Sequence, residues 1–171
     1  MIRTVHWVAA TAAGAAVLLG GCSQPSYQSP PVPPGPMVQA IRAARAADQS
    51  VVQVTPLRDP AVSGDLGAAH AAEADGKYQV ALDSVNAALK LSPDAPDILQ
   101  YRAELEIYLH QLPAAEADAR RSYTLGSKVG GLCASNWQTV FEIAQANQDQ
   151  AGMEAAQKAR GTCHEAGPIR M

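Results

Sequence analysis

An all-α fold follows from three features of the 171-residue chain. Apolar residues make up 47% of it, yet only 5% are aromatic, with one Phe and two Trp, so alanine supplies much of the apolar surface. A β-sandwich or barrel needs β-branched and aromatic residues on its pleated faces; alanine-rich segments suit helices that approach closely. From Pro60 onward, helix-length apolar blocks alternate with Gly and Pro turn signals, and the blocks fall into about three antiparallel pairs. The balance of 13 basic and 16 acidic residues, a net charge of −3 and a pI near 5.7, leaves no electrostatic footprint for nucleic acid.

Residues 1–21 stand apart from this fold. Arg3 gives a short positive start, and Val5 to Leu19 is an almost unbroken apolar run. It is short for a bilayer span and matches the apolar region of a secretory signal. The run closes on Leu19-Gly20-Gly21-Cys22. This order resembles the bacterial lipoprotein signal. The resemblance implies cleavage before Cys22, a diacylglycerol thioether on its sulfur and an acyl chain on the new amine. Several acyl chains exceed the two anchoring signals that stable membrane attachment needs. Ser23 follows; in enteric-type sorting an Asp there implies retention at the inner membrane, whereas Ser implies export to the outer membrane. The domain is then expected to face the periplasm.

The expected tether spans 22–36. Six of the chain's 12 prolines fall within it, and such a segment favours extended polyproline II. At about 3.1 Å per residue it reaches roughly 40 Å, which suits a disordered spacer between lipid and domain. Residues 37–59 are expected to hold a short helix over Met37 to Asp48, with Met37, Val38, Ile41, Ala44 and Ala47 apolar and Arg42 and Arg45 outward. Val51-Val52-Gln53-Val54 reads as an extended segment lying over the helical body.

Helical blocks then run over 65–75, 78–91, 98–110, 113–125, 133–147 and 151–160. Gly76, Pro93 and the Gly126, Gly130 and Gly131 group separate them. Counting from Val62, Ala69 takes the eighth position, Gly76 the fifteenth, Tyr78 the seventeenth, Ala81 the twentieth, Ala88-Leu89 the next pair of packing positions and Pro93 the thirty-second. This unit resembles a tetratricopeptide repeat, a 34-residue helix-turn-helix. Small residues at these places let two helices approach, and Tyr78 fills the space beside the turn. A second unit from Pro96 places Ala103, Leu112, Ala115 and Ala119 in the same register, with His110 where the turn glycine belongs and no closing proline. The third is offset by a longer loop and reads as a degenerate repeat or cap. The resemblance covers about 60–163; residues 164–171 read as a flexible tail.

Repeats of this kind offer a concave surface lined by the first helix of each pair. The resemblance puts His70, Glu73, Gln100, Glu104, Ile107 and Tyr108 on that lining. The groove is mildly acidic with apolar spots, a match for an amphipathic or basic peptide segment. Catalysis is not expected: there is no P-loop, nucleophile elbow or zinc motif. Glu104 and Glu106 sit two apart on different helix faces, and Cys163-His164 lacks the rest of a haem-attachment motif. No cofactor is expected, and a metal site at Cys133, Cys163 and His164 is disfavoured. The two cysteines left after lipidation lie in an oxidising compartment. Cys133 opens one helix and Cys163 closes its antiparallel partner, so a structural disulfide stapling the C-terminal hairpin is expected; the alternative is two unrelated buried thiols.

The leading expectation is a protein-binding module or scaffold of an envelope complex, such as secretion, pilus or cell-wall machinery. Its partners would be an envelope protein or peptide segment of unknown identity and the bilayer reached through Cys22. The alternative is a structural accessory that packs on a multi-subunit neighbour or on its own copy. A thiol-dependent oxidoreductase is disfavoured because no Cys-x-x-Cys exists.

Overall fold

The computed structural model describes residues 32–48 and 57–164. Cys22, the segment 51–54 and most of the expected tether and tail lie outside them. The described residues form seven helices and no strand: α1 (Pro34–Ala47), α2 (Pro60–Ala74), α3 (Tyr78–Leu91), α4 (Pro96–Tyr108), α5 (Leu112–Leu125), α6 (Gly131–Ala146) and α7 (Gln150–Gly161). Among them no helix is long and apolar enough to cross a membrane.

Three helix starts differ from the sequence reading for one reason. Proline stands in the first turn of α1, α2 and α4, where a missing N–H costs nothing. Pro34 therefore opens a helix inside the segment expected to be tether, and α2 begins at Pro60 rather than Asp65. Asp59 caps α2 by accepting from the Ala61 N–H at 2.8 Å.

The pairs α2/α3, α4/α5 and α6/α7 close through one repeated turn. Lys77 N–H donates to the Ala72 carbonyl, Gln111 N–H to Glu106 and Asp149 N–H to Ala144, each at 2.8 Å. The residue before each donor is left-handed: Gly76 at φ 72°, His110 and Gln148 both at φ 58°. This is the glycine-type helix stop, made twice without glycine. The first two turns stand 34 residues apart and the last two 38, so the third pair keeps the hairpin and takes up the difference mostly in α6, which has 16 residues against 13 in α4.

Alanines set the spacing within the pairs. Ala69, Ala81, Ala88, Ala103, Ala115 and Ala119 have no exposed surface. Two cores meet at α4: Ile98, Leu99, Tyr101 and Leu105 face α2 and α3, while Ala103 and Ile107 join α1, α5, α6 and α7. Ser122 donates to the Pro96 carbonyl at 2.6 Å and fastens the end of α5 to the start of α4.

Candidate functional site

The face formed by α2, α4 and α6 is where the lining residues were expected, and the chain itself covers much of it. Helix α1 packs on α6 and α4, burying Met37, Val38 and Ile41 against Ala103, Ile107, Val140 and Ile143. Its approach to α6 is close: a Cβ on Gly131 would stand 2.6 Å from the Arg45 carbonyl oxygen. Glycine is required there by space, not by backbone angle.

Charge pairs add to the same contact. Arg42 donates through Nε to Glu104 and through Nη2 to Glu73, both at 2.7 Å. Burial alone would lower the Arg42 pKa, but the bonds and charges of Glu104 and Glu73 outweigh it, so the guanidinium stays charged. Tyr101 donates to the other Glu73 oxygen at 2.8 Å. Burial and that bond raise the Tyr101 pKa and keep the phenol protonated. Gln100 donates to Thr139 Oγ1 at 2.9 Å, bridging α4 to α6. Arg45 reaches Ser135 Oγ at 3.3 Å.

The six expected groove residues thus divide. Gln100, Glu104 and Ile107 are buried, Glu73 is engaged by Arg42 and Tyr101, and Tyr108 stacks on Tyr78 with ring centres 4.1 Å apart. His70 is exposed and stacks on Tyr101 at 4.5 Å. The acidic, partly apolar groove does receive a basic amphipathic helix, but one from the same chain. Sequence reasoning named Arg42 and Arg45 as outward residues and missed them as groove partners, since Glu73 and Glu104 lie 31 and 62 residues from Arg42. What stays open is a cavity of about 280 Å³ bounded by Arg42, Arg58, Leu66, His70, Asp97 and Tyr101. Arg58 and Asp97 pair across it.

At the far end of the domain Cys133 and Cys163 are joined by a disulfide with Cα atoms 5.5 Å apart, and both are buried. Gly130 N–H donates to the Cys163 carbonyl at 2.7 Å beside it. His164 stands 4.0 Å from Asp48 and does not join the cysteines in a ligand set; no group of three metal-binding side chains occurs among the described residues.

No family model matches the chain, and no curated protein matches it. Among solved structures, the globular C-terminal domain of P. aeruginosa LpoP is similar in fold, with a TM-score of 0.55 and 26% sequence identity. The match covers 61% of this chain and 99% of that one.

Proposed function

We propose that this chain is a non-enzymatic lipoprotein, held in the outer membrane through acylated Cys22, whose helical domain faces the periplasm and binds a protein of an envelope complex. One observation carries the reading: a Leu19-Gly20-Gly21-Cys22 signal precedes a helical domain that shares its fold with the C-terminal domain of LpoP. The three hairpins with their common turn support the tetratricopeptide-like description of that domain. Tight alanine packing gives a rigid body suited to presenting surface rather than to closing around a substrate.

The anchor is testable by labelling cells with radioactive palmitate. Wild-type chain should carry the label and sediment with membranes, whereas Cys22→Ala should do neither. Label entering Cys22→Ala, or an unlabelled wild type, would overturn the reading.

A further inference from the structure

A second concavity, remote in sequence from α1, lies between α5 and α6. It has a volume of about 270 Å³ and is lined by Ala119, Arg120, Tyr123, Asn136, Trp137 and Val140. The Tyr123 and Trp137 rings stand 4.9 Å apart at an interplanar angle of 60°. Asn136 is 1% exposed, and neither its Oδ1 nor its Nδ2 has a hydrogen-bond partner. The Trp137 Nε1–H, next along the helix, is also buried without one. Buried polar groups are nearly always satisfied, and each left unpaired carries its full desolvation cost. An acceptor and two kinds of donor unused in one cleft point to a partner from outside the chain.

Resting on the proposed protein-binding role, we propose that this cleft receives an extended segment of the partner, with an aromatic side chain beside an acidic residue. A carboxamide offers one acceptor and an NH2 donor, the complement of the N–H and C=O of a peptide unit. The indole N–H supplies one further donor, suited to a carbonyl or carboxylate. The volume falls just under the ~300–1,000 Å³ of small-molecule sites, so it suits one anchoring side chain and its backbone rather than a cofactor. Aromatic walls at this spacing favour a third ring. The acidic preference comes from Arg120, whose guanidinium carbon lies 5.8 Å from the Trp137 ring centre; Lys128 Nζ, 4.3 Å from the Tyr123 ring centre, already donates to the Tyr123 and Thr124 carbonyls. Arg120 spends only part of its five-donor fork on Glu116. With α1 covering the concave face, this cleft between α5 and α6 leaves the partner a place to dock.

The test is a titration of the ¹⁵N-labelled lipidated chain, which starts at Cys22 after cleavage and so has Trp137 as its one indole, solubilised in detergent. The probe is the blocked dipeptide N-acetyl-Phe-Asp-amide. Saturable shifts of the Trp137 indole N–H and the Asn136 side-chain amide at millimolar probe are expected. Benzyl alcohol, which has the ring without the peptide unit, should bind more weakly. Asn136→Leu should fold as stably as the parent, since it removes unpaired polar atoms, and should weaken the dipeptide by about tenfold or more. Signals that stay still, benzyl alcohol binding as well as the dipeptide, or undiminished binding by Asn136→Leu would each overturn the proposal. Failure here is separable from failure of the broader reading: a chain that crosslinks to an envelope protein yet ignores the dipeptide keeps its role and loses this cleft.

Discussion

Replacing Ile41 with alanine should free the helix that fills the groove. Ile41 has no exposed surface, and with Met37 and Val38 it supplies the whole buried face of α1. Truncating a buried Ile to Ala costs about 2–5 kcal/mol, from lost transfer energy and the cavity left behind. Helix α1 has 14 residues, a length that is marginal in isolation, so it depends on this docking. The ion pairs cannot hold it alone. Arg42 is 45% exposed, and pairs made by such a group contribute only about 0.2–1 kcal/mol. Taking a loss of ~2–4 kcal/mol and a factor of ten per 1.4 kcal/mol, amide exchange in α1 should accelerate roughly 30- to 1,000-fold. Hydrogen exchange read by mass spectrometry resolves this helix from α2 and α3, whose own contacts are intact. Exchange in α1 unchanged, with a stability loss below ~1 kcal/mol, would refute the docking argument.

Three further outcomes follow from single features. Oxidised protein should be about two mass units lighter than reduced. Reducing the Cys133–Cys163 bond, which spans 30 residues, should cost about 3–4 kcal/mol in urea denaturation, since it closes the α6/α7 hairpin. Glu106 is buried, and that burial, with the Asp118 carboxylate next in weight, raises its pKa from 4.5 to about 7. The folded state therefore holds a proton that the unfolded state releases, and stability should fall as pH climbs from about 4.5 through 7. Glu106→Gln should flatten that slope and gain ~2 kcal/mol at pH 8, measured as a shift in urea midpoint. His110→Gly should raise stability by ~0.5–1 kcal/mol by relieving its left-handed backbone, and a drop in Tm would contradict the shared-turn reading.

Hairpins were legible in the sequence where punctuation was unambiguous. Gly76 before and Pro93 after fix α3 at Tyr78–Leu91. Helix starts at Pro34, Pro60 and Pro96 were harder, because a proline that interrupts a helix and one that opens it look alike until the cap is seen. His110 and Gln148 hide their turns, since nothing in their side chains announces a left-handed backbone. The groove chemistry was readable as acidic and apolar, but its occupant was not: Arg42 lies 31 residues from Glu73 and 62 from Glu104. Local periodicity carries no information about such pairings. Asn136 was invisible for a similar reason, as an asparagine on an apolar helix looks the same whether or not its amide is satisfied.

The proposed role is the binding of a distinct envelope protein by a lipid-held helical domain. Crosslinking intact cells that produce the wild-type chain, then identifying adducts of the outer-membrane fraction by mass spectrometry, tests it most directly. A discrete adduct between this chain and a second envelope protein is expected, depleted with Cys22→Ala. Adducts made only of copies of this chain, or none despite abundant chain in that fraction, would contradict it.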